Sequence, residues 1–134
     1  MILVDTSVLI DIIKGEQNNK VALFQNAMKR NLSFGISEYT YLEILQGAKN
    51  SQEYSKLNEY LLDMNIYLLP KTVETYQKAA TLYCNLRRQG ITPRSTLDVL
   101  IALTAIEYRL SLLHNDRDFD AMASKIPELS IVVQ

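Results

Sequence analysis

The chain opens on a short apolar run, Ile2-Leu3-Val4, rich in β-branched residues, which predicts a buried strand. Asp5-Thr6-Ser7 follows, and then a second apolar run from Val8 to Ile13 that fits a helix with those three polar residues as its first turn. Lys14 to Asn19 is a polar turn in which Gly15 suits a helix C-cap. Val21, Leu23, Phe24, Ala27 and Met28 recur at helical spacing to about Arg30. Leu32 to Ile36 alternates as a strand, Ser37 caps a helix from Glu38 to Gln46, and Gly47 ends it. Ser51 starts another helix, with Tyr54, Leu57, Tyr60, Leu61 and Met64 on one face. Ile66 to Leu69 is a strand stopped by Pro70.

Thr72 opens a long amphipathic helix that closes on Arg87-Arg88-Gln89-Gly90, cations in the last turn before a glycine. After a loop containing Pro93, residues Leu97 to Tyr108 are apolar nearly all round, as a central helix requires. Leu110 to Leu113 is a strand, Asn115-Asp116 a turn, Phe119 to Ala123 a short helix, and Ile131 to Val133 a last strand. Strands alternating with helices predict an α/β fold, a central parallel sheet of about five strands flanked by helices on both faces. At 134 residues the chain fits one domain over 1–134, and no repeat or linker divides it.

Composition narrows the chemistry. The balance of 14 basic and 15 acidic residues gives a net charge of −1, so nucleic acid binding must rest on a local patch. One cysteine, Cys84, excludes an internal disulfide and fits a reducing compartment. It suits a small core residue of its helix. No signal peptide pattern and no apolar run of spanning length is present, so the expectation is a cytoplasmic protein without a membrane segment.

The predicted elements carry acids to one place. Asp5 follows the first strand, Glu43 lies in the helix after the second, Asp98 begins the most apolar helix, and Asp116 follows the fourth strand with Asp118 and Asp120 behind it. All map to the carboxyl edge of one parallel sheet, where open α/β sheets bind ligands. Each has a plainer role: Asp5 as a helix cap, Asp98 in the capping box Ser95-Thr-Leu-Asp98, Asp116 as a turn residue. Glu43 is harder to place, because its helix is already capped and its neighbours are apolar.

Carboxylates brought this close repel and raise one another's pKa. A hard divalent cation relieves them, and Mg²⁺ or Mn²⁺ fits an oxygen donor set. With one histidine and one cysteine, a zinc site of nitrogen and sulfur ligands is nearly excluded. Such a site suits phosphodiester hydrolysis, with Thr6 and Ser7 as supporting hydroxyls. Arg94 and Arg117 stand near the acids in sequence and are candidate phosphate contacts. Tyr39 and Tyr41 are candidates for base stacking. His114, the single histidine, flanks the site as a strand-end cap or a general acid or base.

These residues carry a resemblance. Asp5-Thr-Ser-Val-Leu-Ile-Asp11, Ile36-Ser37-x-x-Thr40-x-x-Glu43-Ile-Leu-x-Gly47, Asp98-x-Leu100-Ile-Ala102 and Asn115-Asp116-x-Asp118-Phe119 resemble, in order and over essentially the full length, the motifs of PIN-domain ribonucleases. More narrowly, the chain is similar to toxins of the VapC type. The resemblance implies Asp5, Glu43, Asp98 and Asp116 as a catalytic Mg²⁺ or Mn²⁺ site for cleaving RNA, tRNA among the candidates. It also implies a homodimer and an antitoxin that covers the site. The family usually has Thr or Ser two residues before the fourth acid, and this chain has His114. Two alternatives remain at the level of sequence. One is a PIN-like fold kept as a non-catalytic binding or assembly module. The other is a Mg²⁺-dependent phosphatase of the haloacid-dehalogenase type, which wants a second Asp where this chain has Ser7.

Overall fold

The computed structural model describes residues 1–133. Among these residues the elements run β1 (Ile2–Val4), α1 (Thr6–Ile13), α2 (Asn19–Lys29), β2 (Phe34–Ser37), α3 (Glu38–Gln46), α4 (Ser51–Leu62), β3 (Asn65–Tyr67), α5 (Val73–Arg88), α6 (Thr96–Tyr108), β4 (Ser111–Leu113), α7 (Arg117–Lys125) and β5 (Ser130–Ile131). All paired strands are parallel, in the order β3-β2-β1-β4-β5.

Successive residues of a strand point to opposite faces, and each face meets its own helices. Val4, Ile36 and Leu113 pack with Val8 and Leu9 of α1, Phe24 of α2, Ile44 and Leu45 of α3 and Leu61 of α4. Leu3 and Leu112 face the other way, onto Leu86 of α5, Ile101, Ala102 and Ala105 of α6, and Phe119 and Met122 of α7. Helix α6 is buried on a second side too, where Val99, Leu100 and Leu103 meet Leu69 and Ala79. That double burial is why its sequence shows no polar face. Helix α4 is shallower than its period predicts: Leu61 is buried, whereas Tyr54 and Tyr60 are exposed.

The ends of two strands differ from expectation. β3 stops at Tyr67 because the Leu69 N–H donates to Glu38 Oε2 at 2.7 Å instead of to a neighbouring strand. β5 spans Ser130–Ile131, although the Val132 N–H still donates to Leu112 O at 2.9 Å.

Gly35 in β2 is required by close approach. A Cβ there would lie 2.5 Å from both the Asn65 carbonyl oxygen and the Tyr67 ring. Backbone cannot retreat without breaking the β2–β3 pairing of Gly35 with Asn65. Gly35→Ala is therefore expected to cost about 1–3 kcal/mol, the range for overpacking a tight site, read as a lower midpoint of urea unfolding.

The strand order places the reversal of winding between β1 and β4. The chain builds outward from β1 through β2 to β3, then returns to the other side of β1 with β4 and β5. A crevice at such a reversal, outside the carboxyl ends of the strands, is the ligand position of open α/β sheets.

Candidate active site

Asp5 and Asp116 leave from the two strands that flank this reversal, each as the N-cap of the next helix. Asp5 is 4% exposed, and its Oδ2 accepts from the Ser7 N–H at 3.0 Å and the Ser7 hydroxyl at 2.7 Å. Ser7 Oγ in turn accepts the Asn115 N–H at 2.9 Å, which ties the β4–α7 turn to the first turn of α1. Asn115 Nδ2 also donates to Asp11 Oδ2 at 2.8 Å, as does Asn18 Nδ2 at 3.0 Å. The Asn115 bond is the main reason the Asp11 carboxyl lies below its usual range.

Glu43 enters from α3, which begins at the carboxyl end of the adjacent strand β2. Thr6 Oγ1 donates to Glu43 Oε1 at 2.8 Å and contacts the buried Thr40 hydroxyl at 3.0 Å. Thr40 stands one helical turn before Glu43, so the two present on one side of α3. Burial raises the Glu43 carboxyl above the usual range, against the Thr6 bond, and the Asp5 charge adds to the rise. Burial also raises Asp5, with the Ser7 bonds opposing it.

Asp98 sits in the first turn of α6, whose cap is Ser95: the Ser95 hydroxyl accepts the Leu97 N–H at 3.1 Å. The Asp98 carboxyl groups instead with Asp116 and Asp118, each offering an oxygen within 4.8 Å of the others. Its pKa is pushed up to about 6, first by burial and then by the charges of Asp5, Asp116, Glu43 and Asp118. Among the described residues the close oxygen group is thus Asp98, Asp116 and Asp118, while Asp5 and Glu43 stand outside it and reach Asp98 through their charge; Asp120 faces His114 instead. Asp116 Oδ1 accepts the Asp118 N–H at 3.0 Å.

The cations divide. Arg94 lies across the outer acids, donating from Nε to Asp118 Oδ2 at 2.7 Å and from a terminal nitrogen to Asp116 Oδ1 at 3.0 Å. Arg117 is exposed and lines a groove of about 560 Å³ beside the acids, together with Lys20, Arg94, His114 and Asp120. Lys20 escaped sequence reasoning, since α2 carries no motif and lies far from the acids along the chain. His114 is 3% exposed; burial lowers its pKa, against the opposing charges of Asp120 and Asp5. Tyr39 and Tyr41 are half-buried rather than presented to solvent, and the Tyr41 hydroxyl donates to Asn58 Oδ1 at 2.6 Å.

An all-oxygen cluster of this kind, around an Asp98 carboxyl raised to about 6, could hold a hard cation. The donor set fits a divalent ion of the Mg²⁺ class and offers no soft ligand. Cys84 lies in α5, among Arg87 and its own helix, and takes no part.

Comparison with known proteins places the arrangement. Residues 2–125 match the family model of the PIN domain. The chain is 27% identical over 124 residues to VapC ribonuclease Mb1587 of Mycobacterium bovis, covering 92% of each protein. In fold it is similar to the VapBC2 complex of Rickettsia felis bound to a DNA fragment from its promoter, at TM-score 0.75 and 23% identity over 98% of both chains. A second likeness is to VapBC-5 from Mycobacterium tuberculosis, a member of the VapBC family of toxin–antitoxin systems, at TM-score 0.67 and 19% identity over 97% of this chain and 95% of that one. With a match running from β1 to the end of α7, and acids gathered where β1, β2 and β4 end, the chain belongs to the PIN domain family.

Proposed function

We propose that this protein is a divalent-metal-dependent endoribonuclease and the toxin of a toxin–antitoxin pair, with Asp5, Glu43, Asp98 and Asp116 as its catalytic metal ligands and Asp118 in support. The observation that carries the reading is the grouping of Asp98 with Asp116 and Asp118, oxygens within 4.8 Å of one another, at a carboxyl raised to about 6 first by burial and then by the charges of Asp5, Asp116, Glu43 and Asp118, which the fold brings to it from three other segments. Caps and turns alone have no need of that convergence. The ribonuclease relative supports the reaction, and the VapBC neighbours support an antitoxin partner; a homodimer acting in the cytoplasm completes the reading, and these two rest on the family resemblance alone.

When bound, Mg²⁺ or Mn²⁺ lowers the pKa of an attacking water and offsets charge on the phosphodiester. The chain's own residues do the rest. Thr6 holds the Glu43 carboxylate by its hydroxyl, and Ser7 holds Asp5 while pinning the turn before Asp116. Arg94 supplies positive charge at Asp116 and Asp118, and its exposed guanidinium stands where it could also meet a substrate phosphate. Arg117 and Lys20 extend positive charge along the groove, where a neighbouring phosphate would lie.

The phosphatase alternative loses ground on Ser7. Its hydroxyl is engaged by Asp5 and Asn115, and no carboxylate stands in its place. A non-catalytic module remains the contrast to test. With Mg²⁺ or Mn²⁺, the purified chain is expected to cut structured cellular RNAs, tRNA included, and to spare DNA of the same sequence. EDTA should stop the reaction. Intact RNA with either metal, or cutting that persists in EDTA, would overturn the proposal.

A further inference from the structure

Asp116 is the N-cap of α7, and the backbone N–H of a cap residue has no helical carbonyl to bond. Helices often satisfy it with a Glu or Gln three residues on. Here that position is Phe119, which has no acceptor. His114 supplies one from upstream: its Nδ1 accepts the Asp116 N–H at 3.2 Å. The ring is fully packed, its centroid 5.3 Å from that of Phe119. An accepting Nδ1 places the ring proton on Nε2. Nε2 lies 3.2 Å from Asp120 Oδ1 without forming a hydrogen bond, and it is buried. On the other side of the turn, the Asn115 N–H is held by Ser7 Oγ, itself bonded to Asp5.

The geometry points to His114 as a positioning residue for the metal site: its Nδ1 lone pair fixes the backbone of Asp116 and so aims the Asp116 carboxylate at Asp98. The inference rests on Asp116 being a metal ligand. His114 does not itself reach the reacting atoms, because one nitrogen holds the turn and the other is buried beside Asp120. The imidazole replaces the missing helix-side acceptor at a place where Phe119 is committed to the core.

The test uses His114→Asn, His114→Gln and His114→Ala, with Mn²⁺ binding to the RNA-free protein measured by calorimetry. An Asn amide oxygen reaches the place of Nδ1, whereas a Gln reaches only that of Nε2. Asn is expected to keep affinity within about threefold of wild type. Ala and Gln should weaken it roughly tenfold or more, as loss of a group that orients a metal ligand does. Nitrogen NMR of the metal-free wild type should show the Nε2–H tautomer. Asp116→Asn is the control. If it leaves Mn²⁺ binding unchanged, the ligand assignment fails and the inference with it. If it weakens binding while Ala and Gln do not, the positioning role alone is overturned. Equal losses in all three His114 variants, tracking their urea midpoints, would reduce His114 to packing and overturn it as well, as would the Nδ1–H tautomer.

Discussion

Asp98→Asn is expected to remove metal-dependent RNA cleavage while making the metal-free protein more stable. The substitution keeps shape and loses charge. It leaves the cap of α6 in place, because the Ser95 hydroxyl holds the Leu97 N–H. Asp5→Asn is a poorer probe, since Asp5 also caps α1 and takes two bonds from Ser7. A bound metal contributes several kcal/mol to the stabilisation of charge in phosphodiester cleavage. Since about 1.4 kcal/mol is a factor of ten, loss of a ligand at the centre of the site should slow cleavage by about a hundredfold to a thousandfold. Stability should move the other way. A charge in the first turn of a helix is normally welcome, by about 0.3–1 kcal/mol. Yet the Asp98 pKa stands at about 6, so burial and four neighbouring acids outweigh the helix dipole. At pH 7.5 without metal, the neutral amide should raise Tm, by roughly 3–5 °C if about 1 kcal/mol of repulsion is relieved. Single-turnover cleavage assays and calorimetry check both halves. A variant that cuts like wild type would sink the metal-site assignment. A variant that is inactive but strongly destabilised would mean that Asp98 is structural.

Which parts of this site were legible in the sequence follows from how local each signal is. The order of strands and helices is carried by apolar periodicity, and α6 declared its central place by having no polar face. The end of β3 was not legible, because it depends on Glu38, 31 residues away, taking the Leu69 N–H. Among the acids, Asp98 illustrates the limit best. Ser95 and Asp98 have the spacing of a capping box, yet only the Ser95 half forms the expected cap contact, and the carboxylate serves the cluster. No local pattern distinguishes these outcomes; the strand order decides them by setting β2, β1 and β4 side by side. Arg94 was near the acids in sequence, but its two-pronged grip on Asp116 and Asp118 required the α5–α6 loop to fold back over α7. His114 stood out as a departure from the family pattern, while its role as an acceptor depends on the backbone path of the turn it precedes.

The stabilisation that Mg²⁺ gives should grow steeply with pH between about 5 and 7.5. Without metal, the raised Asp98 pKa means that the folded protein binds a proton between pH ~4 and ~6 that the unfolded chain has released. Folded-state stability from this group therefore falls as pH rises through that window, and above about 6 the full cost of the charge is present. Asp5 and Glu43 are raised and act in the same direction. His114 opposes them. Its pKa is lowered, so the unfolded chain gains protons below about 6.5 that the folded protein refuses, and stability from His114 rises with pH. Asp11, lowered by Asn115, loses its contribution only at more acid pH. Comparing the same protein with and without Mg²⁺ largely cancels His114 and Asp11 and leaves the acids that must ionise to bind metal. From pH 7 to pH 5 the proton on Asp98 alone weakens apparent affinity about tenfold, near 1.4 kcal/mol of lost stabilisation at saturating metal. The Mg²⁺-induced rise in Tm should thus be a few degrees smaller at pH 5 than at pH 7.5, and smaller still if Glu43 and Asp5 titrate with it. In Asp98→Asn this pH dependence should flatten. An equal Tm rise at every pH, or one that the variant keeps unchanged, would place the metal away from Asp98.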